Sequence, residues 1–203
     1  GRLSGYDYYR QLLRLVYRLI FLCVAEDRDL LLLPNASAQA HQRYRSYSVA
    51  RLRELAAARR GSPHPDQYRG LRLLMLQLRS GYAPLGLPGL GGFLFSKRAT
   101  PHLDDADLAN RDLLDALRAL AFAVDNGVRR PVDYRNLDTE ELGSVYESLL
   151  ELHPQLNVDA AAFALEVVAG SERKTTGTHY TPTPLVNSLL DTALEPVVAE
   201  RLA

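Results

Sequence analysis

Residues 175–186 read Thr-Thr-Gly-Thr-His-Tyr-Thr-Pro-Thr-Pro-Leu-Val. Gly177 opens a turn, a short extended piece follows, and a Thr-Pro pair starts an apolar-periodic helix. Thr181 or Thr183 suits the cap, with Pro182 or Pro184 in the first turn, where a missing N–H costs nothing. Leu185, Leu189, Leu190, Leu194 and Val197 recur at three- and four-residue steps and give that helix its apolar stripe. Free backbone N–H groups at such a helix start suit a carboxylate or a phosphate. An ordinary capped helix after a turn accounts for the same residues, so the stretch by itself leaves both readings open.

Upstream, 138–152 reads as a helix capped by Asp138, with Glu141 completing a capping box and Leu142, Val145, Leu149 and Leu152 on one stripe. Gly143 within it permits close approach of another backbone. Between the two helices, Leu165 to Ala169 and Thr176 to Tyr180 are placed to pair as a hairpin around Gly170-Ser171-Glu172. Helix for residues 160–166 is the alternative.

Further upstream the chain is a succession of helices. Residues 6–28 carry Tyr8, Leu12, Leu15, Leu19 and Leu22 on one stripe, widened by Leu13, Val16, Ile20 and Cys23. Arg10, Arg14 and Arg18 line the remaining face, where solvent or neighbouring acids are their expected partners and a nucleic-acid contact is the alternative. Glu26 and Asp27 diverge by about 100° on a helix, so a structural role in pairing arginines outweighs a catalytic carboxylate pair. A second helix is expected over 36–60, with Ala40, Tyr44, Tyr47, Leu52 and Leu55 inward. A third is expected over 65–80, with Tyr68, Leu71, Leu74, Met75 and Leu78 inward, and a fourth over 104–122, ended by Asp125-Asn126-Gly127. The glycine-rich stretch 81–95 lacks both the Gly-Lys-Ser/Thr ending and the Gly-x-Gly-x-x-Gly spacing of phosphate loops. It reads as a loop that docks Leu87, Leu90, Phe93 and Phe95 on the helices. Val132 to Arg135 is expected to be extended.

With 203 residues, 47% hydrophobic and 24% charged, the chain has the composition of a globular protein with a real core. Its single cysteine excludes disulfides and a thiolate metal cluster and suits a reducing cytoplasm. No apolar run approaches the length of a membrane span, and no signal peptide is visible. Net charge is zero but unevenly spread. Residues 41–80 hold nine arginines against Glu54 and Asp66, a balance of +7, and residues 101–160 hold thirteen acids against five arginines, a balance of −8. Such asymmetry suggests a face that meets a polyanion, with Arg43, Arg51 and Arg59 as candidate DNA contacts. Mutual neutralisation of the two regions is the alternative.

Five scattered histidines show no metal-ligand spacing. Pro65-Asp66 and Glu172-x-Lys174 spell a nuclease-like pattern, but over a hundred residues separate the halves, and the match reads as chance. No Gly-x-Ser-x-Gly elbow is present.

Arg173-Lys174-x-x-Gly177-x-x-Tyr180-Thr181-Pro182 before an apolar helix resembles the motif that opens the catalytic domain of DNA adenine methyltransferases. The resemblance is to the large single-chain kind of type IIG restriction-modification enzymes and related phage-defence methylases. Leu142-Gly143-Ser144-Val145-Tyr146-Glu147 resembles the Gly-x-x-Tyr-Glu helix that precedes that motif there and in type I modification proteins. Ala25-Glu26-Asp27-Arg28 and Gly91-Gly92-Phe93-Leu94-Phe95 are similar to segments in the same order in the single-chain kind.

This resemblance implies a mainly α chain: a helical domain at 1–160, then at 161–203 the first helix, with a possible hairpin, of a Rossmann-like methyltransferase domain. It further implies S-adenosylmethionine as cofactor, walled by Gly177, Tyr180, Thr181 and Pro182, with duplex DNA and the remainder of the methyltransferase domain as partners. The Asn/Asp-Pro-Pro-Tyr motif that holds the flipped adenine in that family is absent from the 203 residues, as is the family's Gly-rich cofactor loop, so the expected sequence is a truncated piece, inactive alone. The competing expectations are a type I modification subunit and a non-catalytic helical module that binds nucleic acid or protein.

Overall fold

The computed structural model describes residues 4–150, 152–157, 162–167 and 183–202. They are mainly helical, with two small antiparallel sheets, and fall into two compact units, Gly1–Asn136 and Leu137–Ala203.

The first unit is built on α1 (Gly5–Asp27), capped by Ser4, whose Oγ accepts from the Asp7 N–H at 3.0 Å. Leu13, Leu19, Ile20, Leu22 and Cys23 of the expected stripe are buried on it, whereas Tyr8, Leu12, Leu15 and Val16 are half-buried and Tyr9 and Gln11 are buried instead. Arg18 differs from expectation: it is buried, only 4% exposed, because its partners are backbone carbonyls of a later loop.

The single helix expected over 36–60 is two, α2 (Ala38–Arg45) and α3 (Val49–Ala58). Part of the cause of the break is local. Ser37 and Ser48 each cap a helix, accepting from Ala40 N–H at 3.1 Å and Arg51 N–H at 3.2 Å. The remaining free N–H groups of α3 go to α1, since Glu26 accepts from Val49 N–H at 2.8 Å and Ala50 N–H at 2.6 Å. At the other end of α3, Arg118 donates to the carbonyls of Ala56 and Arg59, both at 2.7 Å. A carboxylate at the N-terminus and a guanidinium at the C-terminus complement the helix dipole at both ends. The turn between α2 and α3 leaves Tyr47 exposed rather than inward.

Helix α4 (Asp66–Ser80) buries all five residues expected of it: Tyr68, Leu71, Leu74, Met75 and Leu78. Loop 81–95 follows, with short 3₁₀ turns at Ala83–Leu85 and Phe93–Phe95. Leu87 and Phe95 are buried as expected, whereas Phe93 is exposed. Gly86 has φ +68°, and a Cβ there would lie 2.7 Å from the Ala36 Cβ, so the loop passes close over the start of α2.

Helix α5 (Asn110–Ala121) starts six residues later than its acid-rich lead suggests. Asn110 fixes that start: its Oδ1 accepts from Gln67 N–H at 3.0 Å, and its Nδ2 donates to Ser62 Oγ at 3.0 Å and Asp66 Oδ1 at 2.8 Å. Asp104 and Asp107 lie ahead of the helix and pair with arginines. After α5 the chain makes a hairpin, β1 (Phe122–Asp125) with β2 (Val128–Pro131), Asp125 opposite Val128. Asn126 at φ 49° and Gly127 at φ 77° supply the two positive-φ residues of a tight hairpin turn, so Asn-Gly turns a hairpin rather than simply ending a helix.

In the second unit, α6 (Thr139–Leu150) carries the expected capping box: Asp138 Oδ1 accepts from Glu141 N–H at 2.7 Å, and Glu141 Oε2 from Asp138 N–H at 3.0 Å. Gly143 is buried. Strands β3 (Leu152–Asn157) and β4 (Ala162–Val167) pair antiparallel, with Pro154 opposite Leu165. Leu165 thus pairs with the preceding strand, and Thr176 to Tyr180, its expected partner, lie outside the described residues. A two-stranded sheet has only edges, so the Pro154 position without an N–H is tolerated. Helix α7 (Thr183–Leu189) continues through a π-helical turn, Leu190–Leu194, into α8 (Glu195–Leu202).

Candidate functional site

Arginines of the first unit organise its surface. Four of them reach across to one stretch, residues 94–106, and hold it by its carbonyls. Arg18 Nε donates to Leu94 O at 2.7 Å and its Nη2 to Ser96 O at 3.3 Å. Arg79 Nε donates to Phe95 O at 3.0 Å, Arg14 Nη1 to Ala99 O at 2.8 Å, and Arg72 Nη1 to Ala106 O. A guanidinium has five donors in a fixed fork, so one edge can hold a carbonyl while the other faces elsewhere.

Three of the four, Arg18, Arg72 and Arg79, also line a groove of about 440 Å³ between α1, α4 and the held stretch. Arg18, Arg69, Arg72, Arg79 and Lys97 line it, against the carboxylates of Asp104 and Asp105. Asp104 stands 4.0 Å from Arg18 Nη1 and 3.9 Å from Arg79 Nη2, too far for a hydrogen bond to either. Thr100 Oγ1 donates to Asp104 at 2.8 Å and holds it there. Outside the groove lining, Asp107 pairs with Arg69 and lies 3.8 Å from Arg72; the Arg69 hydrogen bond holds its carboxyl below the usual range. Burial pushes the Arg18 guanidinium below its ordinary pKa, opposed by the charge of Asp104. Leu73 and Leu76, each 46% exposed, form an apolar wall with Leu103.

Partial neutralisation of the basic and acidic segments is therefore present: Arg69, Arg72 and Arg79 meet Asp104 or Asp107. Arg53 pairs with Asp27. Among the described residues Arg43, Arg45, Arg59 and Arg60 form no ion pair, and all four are exposed. Arg43 lies on α2 beside a second groove, with the exposed Tyr47 and Tyr82. Arg51, on α3, donates to Gln67 Oε1 at 3.1 Å, and Arg59 is the C-cap of that helix. Glu26 and Asp27 are structural, as expected, although only Asp27 takes an arginine and Glu26 takes the start of α3.

Gly177, Tyr180, Thr181 and Pro182 lie outside the described residues, as do His179, Glu172 and Lys174. Thr183 is the first residue of α7. The groove cations escaped the sequence reading because Arg18 looks like one residue of a solvated stripe, and its partners come 76 residues later. The available signal was the cluster Asp104-Asp105-x-Asp107, which falls in the first turn of the helix expected over 104–122.

Among the described residues no group of three or more His, Cys, Asp or Glu side chains is arranged to hold a metal ion, and no helix is long and apolar enough to cross a membrane. Compared with protein-family models, curated proteins and solved structures, the chain matches none.

Proposed function

We propose that the chain is part of a DNA adenine methyltransferase of the restriction-modification or phage-defence kind. In this reading it contributes a helical scaffold, DNA-contacting arginines and one segment beside S-adenosylmethionine. The reading rests on the ordered pair of motifs, Gly143-x-x-Tyr146-Glu147 and then Gly177-x-x-Tyr180-Thr181-Pro182, each with its helix. Gly143 is buried within α6, as a glycine kept for close packing should be, and α7 begins one residue after Pro182. Residues 161–203 are then the start of a Rossmann-like domain, with α7 in its first helix.

Gly177, Tyr180, Thr181 and Pro182 would hold the cofactor, whose carboxylate suits the N–H groups at a helix start. When bound, S-adenosylmethionine supplies an electrophilic methyl group. None of the 203 residues is assigned to the chemical step, because the sequence has no Asn/Asp-Pro-Pro-Tyr motif to seat the adenine. Arg43, Arg51 and Arg59 act as phosphate contacts, which position duplex DNA without reading its sequence.

The test is methyl transfer from labelled S-adenosylmethionine to adenine in duplex DNA by the product of the intact reading frame. N6-methyladenine, with none formed by the 203-residue chain alone, is the expected result. A reading frame without an Asn/Asp-Pro-Pro-Tyr motif, or a product that binds DNA but transfers no methyl group, refutes the reading.

A further inference from the structure

The groove between α1, α4 and residues 94–106 is not used by the methylase reading, and its chemistry points to a ligand of its own. We propose that it binds a mononucleotide, with the phosphate seated between Arg18 and Arg79 and the base against Leu73 and Leu76.

Three observations carry this. First, Arg18 and Arg79 are each held by loop carbonyls and both line the groove, with Arg18 Nη1 4.0 Å and Arg79 Nη2 3.9 Å from Asp104. A buried guanidinium is costly unless its charge is matched, and Asp104 at 3.9–4.0 Å matches neither with a hydrogen bond. A phosphate presents several acceptor oxygens and can bond both guanidiniums at once. Second, positive charge is in excess: the five cations answer to three carboxylates, Asp104 and Asp105 in the lining and Asp107 beside Arg69 and Arg72, and Lys97 forms no ion pair among the described residues. Third, the walls are mixed. The exposed Leu73 and Leu76 offer apolar surface, the carboxylate of Asp105 in the lining is an acceptor for sugar hydroxyls or an exocyclic amine, and about 440 Å³ suits a ligand of this size.

The inference is independent of the methylase reading and of the exposed arginines of α2 and α3. Its test is calorimetric titration of ADP, adenosine and inorganic phosphate, separately, into the full chain at low salt. ADP should bind well below about 1 mM, more tightly than phosphate, with adenosine weakest. Lys97→Glu and Leu76→Asp change exposed side chains, so folding is retained. Each should weaken ADP by about tenfold or more, while Arg60→Glu leaves it unchanged. Absence of ADP binding, phosphate binding as tightly as ADP, or ADP binding indifferent to both Lys97→Glu and Leu76→Asp overturns the proposal. If the same two variants weaken duplex DNA while ADP fails to bind, the groove is a nucleic-acid contact and the proposal is wrong.

Discussion

Replacing Glu26 with alanine should destabilise the first unit more than any other single truncation at its surface-proximal polar groups. The carboxylate, near the end of α1, accepts from Val49 N–H at 2.8 Å, from Ala50 N–H at 2.6 Å and from the Tyr44 hydroxyl. Val49 is fully buried and Tyr44 nearly so. Removing the acceptor strands two backbone donors at the start of α3, a hydroxyl, and the positive end of a helix dipole. A hydrogen bond to a charged group contributes about 1.5–3 kcal/mol, but the three share one carboxylate and do not add. A loss of about 3–5 kcal/mol is the reasoned figure, a large fraction of the stability of an ordinary domain. With a urea slope of about 2 kcal/mol per molar, the midpoint falls by about 1.5–2.5 M. Tyr44→Phe removes one of the three bonds and should cost about 1.5–3 kcal/mol. The double variant should lose less than the sum, since Tyr44 has no carboxylate left to meet. Urea unfolding followed by circular dichroism measures all three. A loss below about 1 kcal/mol for Glu26→Ala would mean that water or Ser48 satisfies the start of α3, and the tie between α1 and α3 would be wrong.

Cys23 is fully buried and burial pushes its thiol up to about 12, so at pH 8 it should ignore an aromatic disulfide reagent until denaturant is added; rapid native-state labelling contradicts its placement. Gly61 has φ +83°, and a Cβ there would lie 2.6 Å from Arg111 N, so Gly61→Ala should cost about 2–4 kcal/mol in thermal or urea unfolding. Gly91→Ala, at φ +61° in open space, should cost only about 1–2 kcal/mol, and equal losses would refute the packing argument. Replacing Arg43, Arg51 and Arg59 together with alanine should lower the slope of log K against log salt for duplex DNA by about 0.9 per lost contact; an unchanged slope removes them from the interface.

What the sequence disclosed depended on whether the deciding partner was local. Helix α4 was fully legible, since Tyr68, Leu71, Leu74, Met75 and Leu78 repeat at helical spacing and all go inward. The Asp138–Glu141 capping box was legible because both bonds span three residues. The break between α2 and α3 was not, although Ser48 signals a cap: the rest of its cause is Glu26, more than twenty residues away. Asp104 and Asp107 looked like the first turn of a helix because acids favour that place, whereas their partners are arginines of α1 and α4. The candidate groove was hidden for the same reason. Arg18 on a polar stripe reads as solvated until residues 94–96 are folded over it. Asn126-Gly127 was a hairpin signal in plain view, and the preceding helix pattern masked it.

Calorimetric titration of S-adenosylmethionine into the product of the intact reading frame, wild type beside Thr181→Ala, tests the methylase account most directly. If Thr181 bonds the charged end of the cofactor at the helix start, Thr181→Ala loses about 1.5–3 kcal/mol, or roughly ten- to a hundredfold in affinity, while duplex DNA binding on the same variant is unchanged. A wild-type protein that does not bind the cofactor, or a Thr181→Ala variant that binds it as wild type does, contradicts the account.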